Sequence, residues 1–257
     1  MRIATWNVNS IRVRGDAVAA WLETWKPDVI CLQEIKVVEK DFPRERFEAL
    51  GWRCTVSGQK TYNGVAILSR EEPTDVVAGF ADGGEEDPQR RLLRATIGGV
   101  RVIDAYCPNG EEVGSEKYAY KLAWFARLRR MLDAQEDPAS KLVMVGDFNV
   151  APQPVDVHDP ERWEDKVLFS EAERRALSDV VAFGLTDCLR KVHPTSQKLF
   201  TWWDYRLKAF ERGWGLRIDH ILATAPLASK CSACTIDVEP RKAERPSDHA
   251  PVVADFQ

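Results

Sequence analysis

The chain has 257 residues, of which 44% are hydrophobic and 30% are charged, and its formal net charge is −4. These values are typical of a water-soluble globular protein with a sizeable core, and we expect one α/β domain over residues 1–257. No apolar run has the length of a membrane helix and there is no charged-then-apolar leader, so we expect a cytoplasmic protein without membrane contact. The charge argues against non-specific coating of nucleic acid but permits a basic face around an acidic site.

Apolar, strand-like runs alternate with helical patterns along the chain. The run RIATW predicts a first strand, residues 17–25 an amphipathic helix that ends before Pro27, and DVICLQ a second strand. Helices are predicted at residues 115–133, as a cover of the core, and at 170–183, where a capping box and a following glycine mark the two ends. Further strands are predicted at NGVAIL, LLRATI, VRVIDAY, LVMV and HAPVVADF. This alternation indicates the α/β class.

Six cysteines are scattered over the chain. Only Cys231 and Cys234 have a CxxC spacing, and no second pair or histidine partner completes a zinc site. We therefore interpret the cysteines as buried free thiols.

The stretch KLVMVGDFNVAP begins as a buried strand and ends in polar residues. Side chains two apart on an extended chain point the same way, so Asp147 and Asn149 would share one side if the strand continued through Phe148. An ordinary turn is the alternative, because Gly-Asp and Asn-Val-Ala-Pro commonly follow strands.

The same pattern recurs at several other apolar runs. The polar residues that end or precede them are Asn7, Asn9, Glu34, Tyr106, Asn109, Asp219, Asp248 and His249. Because strand ends form the ligand crevice of open α/β sheets, these side chains are expected to converge. Carboxylates and amides without thiols suit a hard cation such as Mg²⁺ or Mn²⁺ rather than zinc. Such a cation with a carboxylate and a histidine suits phosphodiester hydrolysis.

An ordered set of motifs carries a family resemblance. TWNVNSIR, PDVICLQEIKV, GVAILSR, AYCPNG, VGDFNVAP, FTWWDYR, GLRIDHILA and PSDHAPV together resemble the exonuclease III family of abasic-site endonucleases, in the endonuclease/exonuclease/phosphatase superfamily. The resemblance implies a four-layer αββα sandwich of the DNase I type, with two packed mixed β-sheets flanked by helices and the site at one edge. It also implies a monomer that uses Mg²⁺, or Mn²⁺ in its place, to hydrolyse double-stranded DNA 5′ to an abasic site and to trim 3′ ends as a 3′→5′ exonuclease.

The resemblance assigns a metal site and a water-activating site. Glu34 would be the principal metal ligand, with Asn7 and Asn9 nearby, and Asp248 would help to hold the metal or its water. Tyr106 would contact the phosphate or the backbone.

Asp147, oriented by Asn149, would align or deprotonate the attacking water. His249, oriented by Asp219, would hydrogen-bond the scissile phosphate. An unperturbed aspartate has a pKa of about 3.9, which is low for a base, so the His249 and Asp219 pair is the competing candidate.

The stretch LFTWWDYRLKAFERGWGLRID mixes aromatic and basic side chains, which can stack on bases and pair with phosphates. A core strand followed by a solvated loop is the alternative. The resemblance implies that Trp202, Leu216 and Ile218 line a pocket for the base-less sugar. The segment LKAFERGWG departs from the family pattern, so Trp214 is interpreted as an extra wedge or pocket wall. The other expected DNA contacts are Asn109, Arg90 and Arg206.

Two alternative functions stay open. One is a phosphoesterase of the same fold that acts on a phosphoinositide or another non-nucleic substrate, which the FTWWDYR motif argues against. The other is a catalytically silent DNA-binding module, which the presence of every matched carboxylate and of His249 argues against.

Overall fold

The computed structural model describes residues 1–257. The strands are β1 (Arg2–Asn7), β2 (Val29–Gln33), β3 (Arg53–Ser57), β4 (Val65–Ser69), β5 (Thr74–Ala78), β6 (Leu92–Ile97), β7 (Val100–Tyr106), β8 (Leu142–Asp147), β9 (Leu185–Asp187), β10 (Asp219–Thr224), β11 (Cys231–Ile236) and β12 (Val252–Phe256). The α-helices are α1 (Ile11–Trp25), α2 (Arg44–Glu48), α3 (Glu116–Gln135), α4 (Pro160–Trp163), α5 (Glu171–Val181), α6 (Cys188–Val192), α7 (Ala209–Arg212) and α8 (Ala225–Ala228). None of these helices has the length and apolar character needed to cross a membrane.

The strands form two mixed six-stranded sheets. Their orders are β11-β12-β1-β2-β4-β3 and β5-β6-β7-β8-β10-β9. A cluster of 24 buried residues fills the space between the sheets. A second cluster packs α3 and α5 on one outer face, and a third packs α1 and α2 on the other. The four-layer αββα sandwich implied by the family resemblance is therefore confirmed.

The predicted helices are present, with one boundary corrected. The Ser115 side chain caps α3, and Ser170 with Glu173 forms the predicted capping box of α5. The helix predicted at residues 17–25 in fact begins at Ile11, because the chain turns directly after β1 through left-handed residues that include Ser10 (φ 96°).

The segment from FTWWDYR to Asp219 is mostly irregular. It contains no strand, only isolated bridges from Trp202 to Leu216 and to His249. In the GLRID stretch, β10 begins at Asp219 rather than ending there. Its backbone before Asp219 instead bonds to Asp156 and Phe148, in the loops that follow β8.

Strand direction brings distant residues to one edge of the sandwich. β7 and β8 are parallel, β10 is antiparallel to β8, and Tyr106, Asp147 and Asp219 are therefore adjacent in register. In the other sheet β1 and β2 run parallel, and β12 runs antiparallel to β1. The carboxyl ends of four strands and the amino ends of β10 and β12 thus meet at the same edge.

Candidate active site

Asp147 lies at the centre of the site, at the carboxyl end of β8. Its side chain is 1% exposed, and its Oδ2 accepts a hydrogen bond of 2.9 Å from Asn7 Nδ2. Because Asn7 ends β1 in the first sheet, this bond joins the two sheets.

A glycine is required directly before Asp147. Gly146 has φ 141°, and a Cβ atom at this position would lie 1.9 Å from the carbonyl oxygen of Ala105 on β7. Gly146 lies within β8, which continues beyond the predicted run LVMV to Asp147. Its lack of a side chain lets β7 approach closely enough to place Tyr106 beside Asp147.

Asn149 is oriented differently from the sequence-based expectation. β8 ends at Asp147 and Asn149 has φ 51°, so the chain turns here and the alternative of a turn after the strand is the correct one. Its backbone N–H instead donates to Asp147 Oδ1 at 2.9 Å, and its side-chain oxygen accepts from Asn109 Nδ2 at 3.0 Å. The turn after β8 therefore forms part of the site, because it places the Asn149 backbone N–H against Asp147.

His249 and Asp219 form a buried pair next to Asp147. His249 Nδ1 lies 2.9 Å from Asp219 Oδ2, and His249 Nε2 lies 3.7 Å from Asp147 Oδ2. Burial disfavours the imidazolium, but Asp219 and Asp147 outweigh it and raise the pKa of His249 to about 10. Burial, reinforced by Asp219 and opposed by His249, raises the pKa of Asp147 to about 7.

The Glu34 carboxylate is held by three side chains. Its Oε1 accepts hydrogen bonds from Asn7 Nδ2 at 2.8 Å and from the Tyr106 hydroxyl at 2.9 Å. Its Oε2 lies 2.8 Å from the ammonium of Lys36. Burial alone would raise the pKa of Glu34, but Lys36 and Asn7 lower it, so the carboxylate stays ionised.

These oxygens already bind a cation. The Lys36 ammonium donates to Asn9 Oδ1 at 2.5 Å as well as to Glu34, so it lies between two of the predicted metal ligands. One ligand atom from each of Glu34, Asp147 and His249 lies within 4.8 Å of the others. The donor set, rich in oxygen and free of thiols, fits a hard divalent metal.

Asp248 lies beside this cluster, outside its three closest ligands. Its carboxylate accepts hydrogen bonds from Asn9 Nδ2 at 2.9 Å and from Trp202 Nε1 at 3.0 Å. Burial would raise the pKa of Asp248, but His249 and these two donors lower it. Asp248 therefore links the metal-binding end of the site to the aromatic segment.

Four residues of the site have left-handed backbone conformations. They are Asn9 (φ 44°), Glu34 (φ 52°), Lys36 (φ 56°) and Asn149 (φ 51°). Such conformations are uncommon outside glycine and cost about 1–3 kcal/mol each when strained. Their concentration at one edge indicates that the sandwich holds these loops in conformations that direct the side chains into the site.

Arg90 lies at the protein surface, and its predicted contact with DNA stays a prediction. Arg90 forms an ion pair of 2.8 Å with Glu86 at the surface. Its neighbour Arg91 lies with its guanidinium 4.5 Å from the ring centre of Tyr106 and donates to the Tyr106 carbonyl. Arg91 therefore supports a site residue directly.

The residues of the predicted sugar pocket are not all accessible. Leu216 and Ile218 are 0% and 1% exposed and belong to a small core cluster under Trp202. Trp214 is half-buried and stacks on His158. Arg206 is exposed and paired with Asp204, so its predicted contact with DNA stays a prediction.

The sandwich and its edge site define a class of hydrolases with a carboxylate and histidine centre. The family model described as "Endonuclease/Exonuclease/phosphatase family" matches residues 4–249, and this chain belongs to that family. The sequence is 37% identical over 268 aligned positions to exodeoxyribonuclease III of Haemophilus influenzae, with both chains fully covered.

Two solved structures are close in both fold and sequence. An AP endonuclease from Archaeoglobus fulgidus has a TM-score of 0.97 and 48% identity, with 100% of this chain and 99% of that chain covered. The 3′ phosphatase NExo from Neisseria, bound to a product DNA hairpin, has a TM-score of 0.95 and 46% identity, with 100% of this chain and 99% of that chain covered.

Proposed function

We propose that this protein is a DNA repair nuclease that hydrolyses the phosphodiester 5′ to an abasic site in duplex DNA. We also propose that it removes nucleotides and phosphates from 3′ ends. The observation that carries the proposal is the buried Asp147, bonded to Asn7 and flanked by the His249 and Asp219 pair. The relatives named as exodeoxyribonuclease III, AP endonuclease and 3′ phosphatase support the choice of DNA as the substrate.

Asp147 is the group that we assign as the base toward water. Burial brings its pKa to about 7, where a carboxylate accepts a proton effectively near neutral pH. His249 keeps its proton at this pH, because its pKa is raised to about 10. It therefore donates a hydrogen bond to a phosphate oxygen and stabilises negative charge, while Asp219 fixes its ring.

Tyr106, Asn109 and Asn149 complete the phosphate-facing side of the site. Asn109 and Asn149 hold each other at 3.0 Å, and Asn149 also donates to the carbonyl of Cys107. Preorganised donors of this kind stabilise charge in a transition state at no cost of reorganisation.

We propose Mg²⁺ as the metal, with Mn²⁺ able to replace it. Glu34 and Asn7 would hold it, with Asn9 and Asp248 close by. When bound, it supplies Lewis-acid stabilisation of the phosphate and of the leaving oxygen. We expect the protein to act as a monomer.

The test uses a labelled duplex with one internal abasic-site analogue, an unmodified duplex and a duplex with a 3′-phosphate. Each is incubated with Mg²⁺ or with EDTA. Asp147→Asn keeps the side-chain shape and removes the base, and Asp179→Asn, exposed on α5, is the matched control. We expect Mg²⁺-dependent incision at the analogue, lost about 10²–10⁴-fold in Asp147→Asn and retained in the control.

Two results would contradict the proposal. Duplex binding without any cleavage in Mg²⁺ would indicate a silent DNA-binding module. Neither binding nor cleavage would redirect the search to phosphoinositides and other non-nucleic phosphodiesters.

A further inference from the structure

A cavity of about 500 Å³ lies against the outer side of Trp202. Three half-buried indoles line it, those of Trp163, Trp202 and Trp214, and Leu207 adds an apolar side chain that is 68% exposed. Its volume is within the range of about 300–1,000 Å³ that is usual for small-molecule sites.

The aromatic wall of this cavity is preformed. The rings of Trp214 and His158 stack with centroids 6.1 Å apart and planes 16° apart. Trp163 contacts the same imidazole edge-on, with centroids 6.3 Å apart. The Trp214 backbone is fixed by a 2.8 Å hydrogen bond from its N–H to the Ala209 carbonyl. A flat ligand would therefore meet rigid aromatic surfaces at little entropic cost.

The charges around the cavity favour a ligand that carries phosphate. Arg162, Lys166 and Arg206 line it, and its one acidic residue, Asp204, is already paired with Arg206 at 2.7 Å. Aromatic surfaces beside cations are the combination that binds nucleic acid strands through bases and backbone together.

The cavity shares a wall with the active site. Trp202 Nε1 donates to Asp248 Oδ2 at 3.0 Å, and the backbone of Trp202 forms a bridge with His249. A nucleotide whose phosphate lies at His249 would therefore have its base or sugar near Trp202.

We propose that this cavity binds one nucleobase, turned out of the duplex beside the phosphate that the site hydrolyses. This inference rests on the proposed nuclease function and extends it to nucleotides that still carry their base. Of the three residues of the sugar pocket implied by the family resemblance, only Trp202 lines this cavity, because Leu216 and Ile218 are buried. A base has the flat apolar faces that match the indoles, whereas a base-less sugar would leave them uncovered.

The first experiment maps contact without requiring cleavage. A duplex with 5-iodouracil as the 3′-terminal base is irradiated with the protein in EDTA, and the cross-linked peptide is identified by mass spectrometry. We expect cross-links to Trp163, Trp202 or Trp214, and far fewer from a duplex that carries 5-iodouracil deep in the paired region. Cross-links elsewhere, equal yields from both duplexes, or no cross-link would overturn the proposal.

The second experiment measures the effect on specificity. Trp214→Leu keeps an apolar side chain but removes the stacking surface, and Trp25→Leu, on α1 in the opposite outer layer, is the matched control. We expect Trp214→Leu to lower the ratio of kcat/KM for an unmodified 3′ end to kcat/KM for the abasic analogue by about 5- to 150-fold, the range of base stacking on an aromatic ring. An unchanged ratio would overturn the proposal.

The two experiments separate this inference from the proposed function. If the wild-type protein cleaves neither substrate, the nuclease proposal fails, while the cross-linking result still decides whether a base enters the cavity. If it cleaves both and the cross-link maps elsewhere, only the cavity proposal fails.

Discussion

Replacing Lys121 with methionine tests how helix α3 positions the loops of the active site. Lys121 is fully buried on α3, and its ammonium donates to the carbonyls of Asn109 at 2.9 Å and Asn149 at 2.7 Å. Its third partner is the buried Glu173, which caps α5. One side chain thus connects the two loops that carry the phosphate-facing asparagines to the helical layer.

The expected cost follows from these contacts. Removing one member of a buried ion pair leaves the other charge uncompensated and costs about 3–5 kcal/mol of unfolding free energy. In the variant, the Glu173 carboxylate would still accept hydrogen bonds of 3.0 Å from the backbone N–H groups of Leu168 and Ser170. The loss of unfolding free energy should therefore fall toward the lower end of that range. Lys121→Met combined with Glu173→Gln removes the stranded charge, so it should recover part of the stability.

Activity should respond differently from stability. Denaturant unfolding at neutral pH gives the free energies, and initial rates on the abasic-analogue duplex give kcat. We expect the double variant to regain stability but not kcat, because the carbonyls of Asn109 and Asn149 still lack their common donor. A single-variant loss below about 1 kcal/mol, or a double variant no more stable than the single one, would refute the reasoning.

Three further predictions concern the core and the cation. Asp104 is fully buried, and burial raises its pKa well above the usual value, so the native state keeps a proton that the unfolded chain releases near pH 3.9. Asp104→Asn should therefore gain stability relative to wild type as pH rises from 4.5 to 7.5, by up to about 1.4 kcal/mol per pH unit. Urea unfolding measures this difference, and a difference that does not depend on pH would contradict the prediction. Gly146→Ala should lower the free energy of unfolding by at least about 2 kcal/mol in the same assay, because the new Cβ would clash with the Ala105 carbonyl. A near-neutral effect would show that β7 can move away. Lys36→Met should bind Mg²⁺ more tightly in calorimetry, because no ammonium competes for Glu34, and weaker binding would show that Lys36 instead orients the ligands.

Seven of the eight central strands could be predicted from the sequence, and the four edge strands could not. The strands absent from the prediction are the central strand β10 and the four sheet edges, β3, β5, β9 and β11. Edge strands are buried less regularly, as in β5, where four of the five residues are exposed and none is buried. Their apolar pattern is therefore weak, whereas β2, β4 and β8 are buried throughout and give continuous apolar runs.

The identity of the site residues could be predicted, but their contacts could not. Polar residues at strand ends indicated Asp147, Glu34 and His249, which the structure brings within reach of one metal ion. Lys121 and Lys36 could not be assigned from the sequence, because a lysine in an amphipathic helix or a loop is usually a solvated surface group. Their roles depend on which backbone carbonyls and carboxylates the fold places around them.

The pairing of β1 with β12 has a consequence for the synthesis of the protein. Residues 2–5 lie beside residues 252–255, and Asn7 and His249 stand at the same end of that pair. A ribosome-bound chain that has not yet released β12 lacks both His249 and one of the two strands that pair with β1. The catalytic centre can therefore form only after β12 has emerged from the ribosome.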